Sequence, residues 1–104
     1  MSELLIRGGT VVTADRMEPA DVLLRDGLIA EVGEGLDTEG KILDARGHWV
    51  MPGGIDPHAH LQGSFVDDLT TGTAAAVAGG ITAVGTFAYS QGDENAVEAA
   101  LKIK

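Results

Sequence analysis

The stretch Met51-Pro52-Gly53-Gly54-Ile55-Asp56-Pro57-His58-Ala59-His60-Leu61 divides the chain into two halves that cannot be the same kind of structure. Ahead of it lie short β-rich runs broken by turn dipeptides. Beyond it, apolar residues recur at helical spacing and alternate with a run of β-branched residues. The stretch itself reads as a strand. Residues two apart on a strand share a face, so Asp56, His58 and His60 stand together while Ile55, Pro57 and Ala59 face the other way. Two imidazoles on one rigid strand suit zinc and related divalent ions. Gly53-Gly54 lets the chain turn sharply into the strand.

In the first half, Leu4 to Ile6 and Thr10 to Thr13 flank Gly8-Gly9, which predicts a hairpin. A second hairpin is predicted where Ala20 to Arg25 and Leu28 to Val32 flank Asp26-Gly27, with Asp15 to Glu18 connecting the two. Lys41 to Asp44 and His48 to Met51, separated by Ala45-Arg46-Gly47, give two further short strands. Residues 1 to about 52 thus read as antiparallel β. Turn chemistry accounts for Asp26 and Asp44, and His48 reads as a hydrogen-bonded structural histidine.

In the second half, Gln62 to Val66 is a loop, and Asp67 supplies the acceptor that caps a helix running from about Asp68 to Ala78. Leu69, Thr73, Ala76 and Val77 fall near one another at helical spacing, and Gly79-Gly80 ends it. A buried strand follows from Ile81 to Phe87, on which Thr82 and Thr86 are candidates for hydrogen bonds to the site. Gly92-Asp93 then opens a helix with Ala96, Val97, Ala100 and Leu101 on one face. The acids Asp67-Asp68 suit a helix start, and Lys102 and Lys104 suit a helix end or a solvated tail. The order strand, helix, strand, helix implies a parallel sheet with right-handed crossovers.

The 51–61 stretch resembles the Pro-Gly-x-Ile-Asp-x-His-x-His signature of the metal-dependent amidohydrolases, above all the cyclic-amide branch. The likeness continues through Asp67-Asp68-Leu69 and Thr71-Gly72-Thr73-Ala74-Ala75-Ala76-Val77-Ala78-Gly79-Gly80-Ile81-Thr82, where it is most similar to the dihydropyrimidinases and hydantoinases. The resemblance implies an α/β chain: a portion of a small β-sandwich over residues 1–52, then over 53–104 the first βα units of a (β/α)8 TIM barrel. At 104 residues the chain falls far short of the ~250 of such a barrel, so the expectation is an N-terminal fragment.

The implied chemistry is ring opening of a hydantoin or dihydropyrimidine by hydrolysis of its amide bond. The cofactor implied is a divalent metal, zinc foremost, binuclear in the full enzyme and bridged by a carboxylated lysine. His58 and His60 match two of the metal ligands, and Asp56 matches an acidic position that supports them. Leu61 and Phe65 are the apolar candidates for the substrate pocket. The bridging lysine, two further histidines and the proton-shuttling aspartate have no counterpart before Lys104, so no catalytic residue is expected in this chain. The partners implied are a small cyclic amide and the rest of the barrel, from the same polypeptide or a second chain, in a homo-oligomer. The loop from Gln62 to Val66 is shorter than in typical hydantoinases, which leaves the exact substrate open.

Composition narrows the alternatives. Sixteen acidic against seven basic side chains give a formal net charge of −9, a surface that repels phosphates and argues against nucleic acid. No cysteine is present, which rules out disulfides and thiolate metal sites. The expected location is the cytoplasm, because no run approaches bilayer-spanning length and the first residues lack a signal-peptide pattern. The alternatives are an allantoinase-type or dihydroorotase-type enzyme, and a non-catalytic binding or structural module built on the same fold.

Overall fold

A computed structural model of the chain describes residues 2–61, 68–88 and 92–102. They fall into two compact units, Met1–Pro52 and Gly53–Lys104.

In the first unit, β1 (Glu3–Val12) is the strand on which the others assemble. It pairs antiparallel with β2 (Met17–Arg25), which pairs antiparallel with β3 (Leu28–Gly33). The turn between β2 and β3 is the expected Asp26-Gly27, with both residues at positive φ, 50° and 80°. Leu5 on β1 and Ala20, Val22 and Leu23 on β2 form the buried centre, and Leu5 is wholly enclosed.

The hairpin expected at Gly8-Gly9 does not form. Both flanking runs belong to β1, whose pairing with β2 shifts register between Ile6 and Gly9, so the glycines make a bulge instead of a turn. Gly8 takes φ +75°, and its N–H donates to the buried Asp21 carboxylate at 2.8 Å. The other Asp21 oxygen accepts Leu36 N–H at 3.1 Å. One buried acid therefore satisfies the group freed by the bulge and anchors the segment after β3.

The sheet is also mixed, contrary to the antiparallel reading. β4 (Lys41–Asp44) and β5 (Trp49–Val50) both run parallel to β1, on either side of its bulge. Ala45-Arg46-Gly47 is a jog between them. Ala45 N–H donates to the Arg7 carbonyl and Thr10 N–H to the His48 carbonyl, so the chain stays beside β1 through the detour. Asp44 holds the jog by accepting both the Arg46 N–H and its guanidinium, contacts that push the Asp44 pKa down to about 2. His48 Nδ1 lies 3.1 Å from the Arg46 carbonyl oxygen, in the structural role expected of it.

The second unit begins with β6 (Gly54–Ala59), paired in parallel with β7 (Ile81–Thr86). Between them runs α1 (Leu69–Ala78), which packs on β7. Its cap is Asp68 rather than Asp67, accepting Thr71 N–H at 2.7 Å; Asp67 lies outside the described residues. Leu69, Gly72 and Ala76 form the inner face of α1, while Thr73 and Val77 are exposed. β7 alternates between half-buried and exposed instead of being buried throughout, as suits a strand with one paired neighbour and one helix among the described residues.

The last element, α2 (Ala96–Leu101), starts later than Gly92-Asp93. Asn95 caps it in a reciprocal box with Glu98, a stronger start than an aspartate three residues upstream of the first helical turn. Ala99 is buried, whereas Val97, Ala100 and Leu101 are exposed. Lys102 forms an ion pair with Glu94. Among the described residues, no helix is long and apolar enough to cross a membrane.

Candidate metal centre

Close approach between β6 and β7 governs where the two histidines stand. Neither Gly53 nor Gly54 takes a positive φ, so the glycine pair does not serve as a sharp turn. It serves as space: a Cβ on Gly53 would sit 2.1 Å from Thr82 Oγ1, and one on Gly54 2.8 Å from Ile81 Cδ1. Further along, a Cβ on Gly85 would stand 2.8 Å from the Pro57 carbonyl oxygen. There the pairing register slips between Asp56 and Ala59, so Pro57 and His58 are bowed out of the ladder.

His58 sits on the last turn of the pleat of β6 and His60 immediately after the strand. Their ring centroids are 5.4 Å apart, the planes tilted by 48°. An ion about 2.0–2.1 Å from one nitrogen of each imidazole, at a tetrahedral angle, would put the centroids roughly 5 Å apart. The pair therefore fits as two donors to one ion. Both rings lie at the C-terminal end of a parallel strand, where ligands and active sites gather in α/β folds.

Asp56 does not complete a ligand set: its Oδ1 accepts the His58 backbone N–H at 3.1 Å and so fixes the backbone that carries the imidazole. Among the described residues, no group of three or more His, Cys, Asp or Glu side chains gathers to hold an ion. Leu61 is half-buried, and its N–H donates to Thr86 Oγ1 at 3.3 Å. Phe65, the other expected pocket residue, lies outside the described residues. Of the two threonines singled out on β7, Thr86 thus reaches the site end, and Thr82 packs at the opposite end against Gly53.

One residue at the site escaped the sequence reading. Phe87, just past β7, stacks on His60 with centroids 4.8 Å apart and planes 19° apart. It also meets His58 edge-on at 4.8 Å. The available signal was its position at the C-terminal end of the neighbouring parallel strand, level with the histidines.

The chain is similar to known proteins over nearly all of its length. The chain is 46% identical to rat (Rattus norvegicus) dihydropyrimidinase over 107 residues, covering 92% of this chain and 21% of that protein. It is 45% identical to the D-hydantoinase of Geobacillus stearothermophilus over 96 residues, covering 86% and 20%. The crystal structure of dihydropyrimidinase from Brevibacillus agri superposes with a TM-score of 0.85 at 38% identity, over 95% of this chain and 23% of that one. The chain belongs to the dihydropyrimidinase and D-hydantoinase family. It corresponds to the N-terminal part of these proteins and spans about a fifth of the length of the curated relatives it matches. No family model matches the chain.

Proposed function

We propose that this chain is the metal-anchoring part of a hydrolase that opens cyclic amides, a hydantoin or a dihydropyrimidine. The observation that carries the reading is the His58–His60 pair at the end of β6, with centroids at a spacing suited to one shared ion. Kinship with proteins named dihydropyrimidinase and D-hydantoinase supplies the substrate class. His58 and His60 hold one divalent ion, zinc foremost, of a binuclear centre whose other ligands come from the remainder of the barrel. A divalent ion so held supplies a water acidified towards neutral pH and a polarised amide carbonyl.

The chain's own residues do the positioning. Asp56 fixes the backbone N–H of His58, and Thr86 fixes that of Leu61, so the segment bearing both imidazoles is held at each side. Leu61, half-buried just past the histidines, lines the pocket for the ring of the substrate, and Phe65 is the second apolar side chain assigned to that pocket from the sequence. Residues 53–104 begin a (β/α)8 barrel, and residues 1–52 contribute to a β-sandwich beside it. The remainder of the barrel comes from the same polypeptide or a second chain, and the whole forms a homo-oligomer. With two donors to the ion among the described residues, the 104-residue chain on its own is inactive.

The test is turnover of hydantoin and dihydrouracil by the complete enzyme and by its His58→Ala and His60→Ala variants, with bound metal measured in each. Metal-dependent ring opening that falls by at least about a hundredfold in both variants, together with metal loss, is expected. Wild-type turnover in either variant would refute the assignment.

A further inference from the structure

An imidazole that binds a metal needs its ring held in one orientation, and the usual device is a hydrogen bond from the second ring nitrogen to a carboxylate or carbonyl. A second device is an aromatic ring packed against the imidazole. What lies against both rings is an aromatic face and edge. The three rings form a triangle with sides of 5.4, 4.8 and 4.8 Å, with Phe87 at the apex.

We propose that Phe87 is a positioning residue that orients His58 and His60 together, acting as an aromatic wedge shared by the two imidazoles. Stacking at 19° restricts rotation of the His60 ring, and the edge contact at 62° does the same for His58. Aromatic pairs at such spacing each change an equilibrium by about two- to tenfold. The effect grows on metal binding, because an imidazole that donates to a cation becomes electron-poor and is drawn more strongly to the π-face it lies on. A wedge that fixes both rings beforehand also reduces the ordering that binding must accomplish. Phe87 is 41% exposed, so it contributes little to the interior of the unit. Its energetic effect therefore falls mainly on the site.

This role rests on the reading of His58 and His60 as ligands, and the experiment separates the two. In the complete enzyme loaded with zinc, the rate of zinc loss to excess chelator is compared for wild type, Phe87→Leu, Phe87→Tyr and His58→Ala, with thermal unfolding of the metal-free proteins measured alongside. Phe87→Leu is expected to lose zinc about tenfold faster while its metal-free form unfolds near the wild-type temperature, and Phe87→Tyr, which keeps the ring face, to stay within about twofold of wild type. His58→Ala should retain no zinc at this position. If Phe87→Leu does not fold, Phe87→Met takes its place with the same expectation. Loss of zinc at the wild-type rate from the Leu or Met variant, or equally fast loss from Phe87→Tyr, overturns the wedge while leaving the ligands intact. Full zinc retention by His58→Ala overturns both.

Discussion

The Thr86 hydroxyl accepts the backbone N–H of Leu61 at 3.3 Å, so the end of β7 clasps the residue that follows His60. This contact joins two segments 25 residues apart at the place where the strand carrying the imidazoles leaves the sheet. Thr86→Val keeps the shape and removes the acceptor. At this length the bond is worth about 0.5–1 kcal/mol, so the variant should be destabilised by that amount in chemical denaturation of the complete enzyme. The Leu61 amide should exchange faster with solvent. An unchanged Leu61 exchange rate would show that the clasp does not hold in solution.

Gly85 gives a prediction whose sign is informative. Replacing a strand glycine by alanine ordinarily stabilises, by about 0.4–1 kcal/mol, because the unfolded chain loses freedom. Here the added methyl meets the Pro57 backbone at 2.8 Å from its oxygen and 3.1 Å from its carbonyl carbon. Backbone cannot move aside as a flexible side chain can. Gly85→Ala should therefore destabilise by about 1–3 kcal/mol and loosen the segment that carries His58. A denaturation midpoint equal to or above that of the wild type would mean that β6 and β7 are not so close.

How far the sequence led depended on whether a signal had one structural meaning. Asp26-Gly27 admits few conformations other than a tight hairpin, and it makes one between β2 and β3. Gly8-Gly9 was ambiguous, since positive φ serves a bulge as well as a turn, and the choice was made by the distant Asp21. Parallel pairing of β4 and β5 with β1 likewise depends on contacts over more than thirty residues that no local pattern encodes. The caps shifted because Asp67 and Asp68 are equivalent in type, and because the Asn95–Glu98 box outweighed Gly92-Asp93. Phe87 was missed because it read as the last apolar residue of a buried strand, whereas it lies just past β7 with its ring against both imidazoles.

The Asp44–Arg46 contact predicts a pH effect of definite sign. Hydrogen bonds from the Arg46 guanidinium, and then from its backbone N–H, lower the Asp44 pKa from 3.8 to about 2. A depressed folded-state pKa stabilises above the unfolded value, so the contribution is complete above about pH 4 and is lost as pH falls through about 2. In Arg46→Ala, which loses the guanidinium and keeps the backbone N–H, the Asp44 carboxyl should titrate above its wild-type value while staying below 3.8 when followed by its carbon resonance. Titration near 2 in that variant would place the cause elsewhere.

The central claim is that His58 and His60 hold one ion between them. Anomalous diffraction from crystals of the complete enzyme, recorded at the zinc edge, locates the metal without recourse to activity. The account predicts a peak about 2.0–2.1 Å from a ring nitrogen of His58 and from one of His60 at once. A fully occupied metal peak that touches only one of these rings, or neither, would contradict it.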